Sequence, residues 1–363
     1  MTEEKTNALI TKRSTAIEQT CAGAREILST MVSDALVLVR ESSLTAARFR
    51  IGNHDLREPD YRQIQLWANA LELDAEEVIR RLENCSLETR RYQNDEWVDA
   101  NITTRIENGS IVSLVWDFDI LPLTAFEWVD GLVIREAGFT GSPTPPRLRL
   151  CLPLLSFLSC DELELVELDL TNVPELIGLK VNRNLLAKLD LSYVHRLIWL
   201  DCYGNVLTEL DLSNVPGLTY LSCGSNRLTK LDLSSVPGLA KLMCHTNELT
   251  ELDLSNVPGL TFLACGINKL TELDLSNVPR LKELWCSDNQ LTKLDLCSVP
   301  GLIKLWVERN KIMKLDISHL RCLTQFCCDL FVLVATHPTQ KLARDIGGKY
   351  IQCLLDAQRV GVK

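Results

Sequence analysis

The chain has 363 residues, 46% of them hydrophobic and 24% charged, and this composition excludes a disordered chain, a collagen and a coiled-coil rod. Its length predicts about two domains. A formal net charge of -10 without a local basic patch disfavours nucleic acid and anionic membrane surfaces as partners. Without a signal-peptide pattern or an apolar run of about 18 residues, we expect a cytoplasmic protein, or one exported without a cleavable signal peptide.

Residues 1–95 have the pattern of a small N-terminal helical domain. Residues 6–40 contain few helix breakers and place apolar residues at helical spacing. Pro59 suits the first turn of a second helix, and Asp74 with Glu77 three residues later is a capping-box pattern for a third. Three roles are open for this domain: a cap on the first repeats, an adaptor with its own partner, or a dimerisation unit.

Residues 96–154 are predicted to be a transition with degenerate N-terminal repeats. Apolar residues at 111–121 and at 129–139 fit a repeat template loosely. The GSPTPP run at 141–146 predicts an exposed loop.

A repeat of 21 residues runs through residues 155–335. Successive units from Leu218 are LTYLSCGSNRLTKLDLSSVPG, LAKLMCHTNELTELDLSNVPG and LTFLACGINKLTELDLSNVPR. A period of this length predicts a solenoid in which short strands stack about 4.8 Å apart as a parallel sheet on the concave face. Because 21 residues leave little room for a helix, the convex side is expected to be extended or 3-10. Atypical units at Leu155 and Leu323 are expected to close the ends.

Three side-chain columns share this period. Cysteine, replaced twice by valine, predicts a small apolar core position in preference to disulfides or a metal site. Asparagine predicts a buried ladder that bonds the backbone of its own and the neighbouring coil. Aspartate predicts turn capping, with a divalent-cation site as the alternative. The columns are Cys202, Cys223, Cys244, Cys265 and Cys286; Asn184, Asn205, Asn226, Asn247, Asn268, Asn289 and Asn310; and Asp169, Asp190, Asp211, Asp232, Asp253, Asp274, Asp295 and Asp316.

Units of the form LxxLxCxxNxLTxLDLSxxPxL resemble the cysteine-ladder leucine-rich repeats of the bacterial internalin group, over residues 155–335. The resemblance implies an α/β leucine-rich repeat solenoid whose concave sheet contacts a protein partner. Internalins of this type are exported and anchored to the cell surface. Because this sequence shows neither a signal peptide nor a wall-sorting motif, the resemblance implies the fold without the adhesin role.

Residues 336–363 are predicted to form a C-terminal helical cap. His337-Pro338 interrupts the apolar pattern, and the residues after it have helical spacing. A helix there would cover the open end of the repeat core.

The sequence predicts no enzyme, cofactor or bound metal. It contains no GxxxxGK[ST], GxGxxG, HExxH or GxSxG motif, and its five histidines have no acid, base or nucleophile at motif spacing. Some bacterial effectors with leucine-rich repeats are ubiquitin ligases that use a cysteine in a separate helical domain. The glutamates on both sides of Cys85 would raise its pKa, which disfavours such a role.

The outward strand positions predict a protein-binding or peptide-binding surface on the concave face. The return segments are nearly copied between units, whereas the outward positions vary and are rich in large apolar residues. Two alternatives are that another part of the chain packs there, or that the N-terminal domain carries an effector or regulatory activity and the repeats target it. The sequence does not predict an oligomeric state. The predicted partner-binding residues are Trp199, Asp201, Tyr203, Tyr220, Lys241, Met243, His245, Phe262, Glu283, Trp285, Lys304, Trp306 and Glu308.

Overall fold

A computed structural model describes residues 48–93, 96–108, 110–123, 126–141, 147–329 and 333–335. The predicted helix at 6–40, the predicted C-terminal cap at 336–363 and most of the predicted loop at 141–146 lie outside these residues. The described chain begins with β1 (Phe49–Ile51), β2 (His54–Leu56), α1 (Glu58–Leu71), α2 (Ala75–Asn84), β3 (Ser86–Gln93) and β4 (Glu96–Thr103).

The strands of the solenoid follow. They are β5 (Arg105–Glu107), β6 (Ser110–Asp117), β7 (Glu136–Thr140), β8 (Arg147–Cys151), β9 (Phe157–Ser159), β10 (Glu167–Asn172), β11 (Gly178–Lys180), β12 (Trp199–Asp201), β13 (Tyr220–Ser222), β14 (Lys241–Met243), β15 (Phe262–Ala264), β16 (Glu283–Trp285), β17 (Lys304–Trp306), β18 (Lys314–Asp316), β19 (Gln325–Cys327) and β20 (Leu333–Ala335).

A twelve-stranded sheet runs along the solenoid in the order β5-β6-β7-β9-β11-β12-β13-β14-β15-β16-β17-β19. From β6 onward the neighbours are parallel, and in the repeat array each residue pairs with the equivalent residue of the next coil, as Leu221 does with Leu242. The strands β6 and β7 contain the degenerate stretches at 111–121 and 129–139, so these stretches are coils of the same sheet. The predicted parallel-sheet solenoid is confirmed, whereas the boundaries of its domains stay a prediction.

The core lies between the sheet and the return segments. In the coil that begins at Leu239, the side chains of Leu242, Cys244, Leu249 and Val257 are fully buried. The return segments are extended chain with tight turns, in which Val215 N–H donates to the Leu212 carbonyl and Leu218 N–H to the Val215 carbonyl. Of the two alternatives for this side, the extended one is therefore correct in the described coils.

The repeating cysteines are free and buried in this core. Burial raises the pKa of Cys244 well above the ordinary thiol value and that of Cys265 to about 12, so both thiols stay protonated at neutral pH. Val181 and Val307 occupy the equivalent position in two other coils and are also buried. The position accepts a small apolar side chain of either kind.

We predict that Cys244→Val lowers the free energy of unfolding by less than about 1.5 kcal/mol, because valine already fills this position elsewhere. Cys244→Ser should cost about 1–3 kcal/mol, because it buries a hydroxyl without a designed partner. Urea unfolding measures both changes. In the native protein a thiol reagent should label the exposed Cys297 and Cys322 quickly and the buried column slowly; rapid labelling of the column would refute its assignment to the core.

The asparagine column joins neighbouring coils. The side chain of Asn247 donates from Nδ2 to the carbonyls of Cys223 (3.0 Å) and Cys244 (3.1 Å), and its Oδ1 accepts from Leu228 N–H (2.9 Å). Asn226 and Asn289 repeat this pattern in their own coils. The predicted ladder, which bonds the backbone of its own coil and of the neighbouring coil, is confirmed.

The aspartate column caps turns of the return segments. Asp232 Oδ1 accepts from Ser234 N–H at 2.8 Å, and Asp253 and Asp274 make the same bond two residues on. These hydrogen bonds lower the pKa of each carboxyl. The predicted turn-capping role is therefore confirmed.

The two N-terminal helices pack against the first coil of the solenoid. Pro59 lies in the first turn of α1, and Asp74 caps α2 by accepting from Glu76 N–H at 2.7 Å, as predicted. The reciprocal half of the predicted capping box is absent, because Glu77 accepts from Arg81 instead (2.7 Å). Helix residues belong to the same apolar cluster as the repeat leucines, so this region does not have a separate core.

Polar contacts fix the same junction. Asp60 Oδ1 accepts from Ile111 N–H at 2.8 Å, while Gln63 donates to the Glu127 carbonyl (2.9 Å) and accepts from Val129 N–H (2.7 Å). These side chains on α1 satisfy backbone groups at the edge of the first coil, which no preceding coil would otherwise bond.

The β3–β4 hairpin lies over the outward face of the sheet at its N-terminal end. Both of its strands contact β7, and β4 also contacts β6. At its base, Leu87 packs over Gly138 of β7, and Ile102 is buried in a cluster with Val115 of β6. The hairpin strands pair antiparallel over their full eight residues, a length of about 26 Å.

A disulfide between positions 87 and 138 tests this placement. A Cβ at Gly138 would lie 3.6 Å from Leu87 Cβ, within the spacing of a disulfide, and Leu87→Cys removes the Cδ2 atom that would lie only 2.7 Å away. We predict that Leu87→Cys/Gly138→Cys crosslinks under mild oxidation in a background with Cys297 and Cys322 replaced by alanine, as detected by peptide mass spectrometry. Leu87→Cys/Gly266→Cys is the matched control and should stay reduced. Equal crosslinking of both pairs would contradict this placement.

Candidate functional site

The outward side chains of the sheet form the candidate site, called the sheet face below. Most of the predicted partner-binding residues lie in β12 to β17, on either side of a fully buried central leucine such as Leu242 or Leu284. Tyr203, His245 and Glu308 follow two residues after the ends of their strands. The predicted outward direction is thus confirmed for the strand residues, but their exposure differs along the sheet.

The sheet face from β6 to β13, called the closed half, is covered. Trp199 and Tyr220 are only 7% and 1% exposed, and they form an apolar cluster with Val115, Phe157 and the hairpin residue Ile102. The expectation of an exposed binding surface is therefore wrong for Trp199 and Tyr220, because segments of the same chain pack on these rings. Burial raises the pKa of the Tyr220 hydroxyl far above its ordinary value.

Aromatic stacking runs through the closed half. Trp199 lies between Phe157 and Tyr220, with ring centroids 6.0 Å and 5.6 Å apart, respectively. Gly178 makes the first contact possible, because a Cβ there would lie 2.8 Å from the Phe157 ring and 3.5 Å from the Trp199 ring. The rings therefore lie flat along the sheet and bridge over the intervening strand.

A buried polar cluster borders these rings. Asn182 donates from Nδ2 to Asp201 Oδ2 (2.9 Å), and its backbone N–H donates to Asp161 Oδ1 (2.8 Å). Lys180 Nζ lies 2.5 Å from Asp161 Oδ2. Because Asp201 is buried, its predicted exposure is also wrong, and burial raises the pKa of Asp161 and Asp201. The sequence interpretation missed Lys180 and Asp161, which occupy outward positions of earlier coils.

The sheet face from β14 to β17, called the open half, has no such cover among the described residues. Trp285 is 42% exposed and its ring centroid lies 5.4 Å from Phe262 and 5.0 Å from Trp306. Lys304 Nζ forms an ion pair with Glu283 at 3.1 Å beside these rings. Lys241 and Met243 are half-buried at the junction with the closed half.

Tyr203 and His245 meet above the sheet between the two halves. Their ring centroids lie 5.7 Å apart, across Gly224 of the intervening coil. Burial lowers the pKa of His245, so its ring is neutral at physiological pH.

The titratable groups show no activated nucleophile or metal cluster in the part of the chain that the structure describes. Burial raises the pKa of Cys85 and Cys286, the opposite of the shift that activates a thiol. No group of three or more His, Cys, Asp or Glu residues is placed to hold a metal ion in the same described part. Within the described ranges, no helix has the length and apolar character needed to cross a membrane.

Comparisons with known proteins agree with this architecture. The family model "Leucine Rich repeats (2 copies)" matches residues 279–322, and no curated protein matches the sequence. Solved structures that are similar include the functional domain of InlJ from Listeria monocytogenes, which includes a cysteine ladder; it is 32% identical over 57% of this chain and 48% of that one, with a TM-score of 0.45.

Two further structures are similar. The leucine-rich repeat domain of APL1B is 24% identical over 57% of this chain and 65% of its own, with a TM-score of 0.50. Internalin C2 from Listeria monocytogenes is 25% identical over 44% of this chain and 73% of its own, with a TM-score of 0.41. The chain spans about half the length of the InlJ domain. The repeat array is therefore a leucine-rich repeat solenoid, similar to the internalin-like repeats of Listeria.

Proposed function

We propose that this protein is a protein-interaction scaffold that binds a protein or peptide partner on the open half of its sheet face. The observation that carries the proposal is the exposure of Trp285 within a row of three aromatic rings, Phe262, Trp285 and Trp306. Large exposed aromatic side chains are the residues that most often anchor protein interfaces. The solenoid fold supports the proposal, because leucine-rich repeats commonly serve as interaction scaffolds.

The division of the sheet face narrows the predicted site. In the closed half, Trp199, Asp201 and Tyr220 already have intramolecular neighbours, so they contribute to the fold in this conformation. In the open half, the Lys304–Glu283 ion pair and half-buried Met243 surround the aromatic row. A polar border around an apolar centre is the usual composition of a protein interface.

The N-terminal helices support the scaffold in this proposal by capping the array. They bury Trp67 and bond the edge of the first coil through Asp60 and Gln63. A solenoid requires such a cap because its terminal coil would otherwise expose the core.

We predict that Trp285→Ala/Trp306→Ala weakens partner binding by about 2 kcal/mol or more per residue, with little change in the thermal midpoint. Partners are captured from a native cell extract with the full chain and identified by mass spectrometry, and their affinities are then measured with purified components. Met313→Ala is the matched control, because Met313 is 68% exposed and lies on a return segment. Equal affinity of the double variant and the wild type would contradict the proposal, as would unfolding of that variant.

A further inference from the structure

Glu308 stands out among the charged groups beside the aromatic row. Its Oε2 atom is buried, and no described residue donates a hydrogen bond to it. The neighbouring charges are engaged: Glu283 pairs with Lys304 at 3.1 Å and Asp288 with Arg309 at 2.8 Å. A carboxylate oxygen that is withdrawn from water without a donor is costly, so a donor supplied by a ligand would relieve that cost.

The position of Glu308 places this carboxylate at the edge of the open half. It follows Trp306 by two residues, and the buried Val307 between them shows that the alternation of the strand continues to residue 308. In extended chain, residues two apart lie on the same face, about 6.6 Å from each other. Trp306 is also the register partner of Trp285, so both indole rings and the carboxylate share one end of the sheet face.

We propose that the anchor of the bound partner is an arginine side chain, which stacks on Trp285 and Trp306 and donates hydrogen bonds to Glu308. This inference rests on the proposed function and names the chemistry of the partner. The guanidinium group fits each part of the site, since it is planar, stacks on aromatic faces and presents a fork of donors to a carboxylate. The net charge of -10 favours a cationic segment in general.

Arginine fits this site better than lysine. The two indole planes are inclined at 62°, which leaves flat faces against which a planar cation can stack. The Oε2 atom is buried, and a guanidinium is less strongly hydrated than an ammonium, so it gives up less solvation when it enters. A phosphate or carboxylate ligand would instead be repelled by Glu308.

The test uses the full chain and three capped peptides: acetyl-Gly-Arg-Gly-amide, its citrulline analogue, which keeps the shape without the charge, and its lysine analogue. Binding is followed through the indole N–H signals of Trp285 and Trp306 in NMR spectra, assigned with the single Trp→Phe variants. We expect the arginine peptide to shift both signals and to bind about tenfold more tightly than the citrulline peptide.

Glu308→Gln should reduce the affinity for the arginine peptide about tenfold, because it replaces a charge-assisted bond with a neutral one. Glu209→Gln, on an exposed return segment, is the matched control and should change nothing. Equal binding of arginine and citrulline peptides, equal binding of the lysine peptide, or an unchanged affinity in Glu308→Gln would overturn the proposal. If these failed while Trp285→Ala/Trp306→Ala still weakened a captured partner, the proposed function would stand and only the arginine anchor would be refuted.

Discussion

Replacing Trp67 with alanine is expected to lower the free energy of unfolding of the whole array by about 3–5 kcal/mol. Trp67 of α1 is 1% exposed and packs edge-to-face against Trp116 of β6, with ring centroids 4.9 Å apart. Its removal leaves a large cavity between the helices and the first coil. Because repeat coils are stabilised by their neighbours, exposure of one end should allow unfolding to spread along the array.

The measurement is urea unfolding followed by circular dichroism, together with thiol labelling of Cys244 as a probe inside the array. Trp67→Phe is expected to cost much less, because it keeps most of the ring and removes an indole N–H that has no described hydrogen-bond acceptor. Trp285→Ala controls for the loss of an exposed tryptophan and should leave the midpoint nearly unchanged. If Trp67→Ala melted the helices without lowering the midpoint at Cys244, the helices would form an independent domain.

The repeat array could be predicted from the sequence because its interactions are local or between nearest coils. Leu242 and Cys244 point inward by the alternation of a strand, Asp253 caps a turn two residues away, and Asn247 bonds residues in its own and the preceding coil. A period of 21 residues carries all of this information, since every coil meets the same neighbour at the same offset.

The division of the sheet face could not be predicted in this way. Trp199 and Trp285 occupy outward strand positions with similar local sequences, yet one is 7% exposed and the other 42%. The difference comes from the β3–β4 hairpin and its base, which is distant in sequence and does not repeat. One signal was present: Gly178 stands at an outward position where a side chain would be expected, and glycine in a strand often marks a close approach of neighbouring groups.

This division also explains why the same kinds of residue have two roles. Aromatic rings in the closed half are buried by the chain itself, and those in the open half keep part of their surface for a partner. The sequence interpretation left both possibilities open for the whole face. The structure assigns packing to β12 and β13, and exposure is greatest at Trp285 of β16.

Asn247→Ala is the second substitution with a large expected effect. It removes two donors and one acceptor together, which leaves the carbonyls of Cys223 and Cys244 and the N–H of Leu228 without their side-chain partner. An unsatisfied buried backbone group costs about 1–3 kcal/mol, so we expect a loss in this range or above it, depending on how far water reaches the cavity. Urea unfolding should shift to lower denaturant and stay cooperative.

The matched control is Asn256→Ala. This exposed asparagine on a return segment donates only to Ser255 Oγ at 3.1 Å, so its loss should change stability by less than about 0.5 kcal/mol. Partner binding at the open half should survive Asn247→Ala at temperatures where the variant is folded, because the amide lies on the core side of the turn and not on the sheet face. An unchanged unfolding midpoint combined with lost partner binding would show that the asparagine column acts as a ligand site, and that its role as the bond between neighbouring coils is wrong.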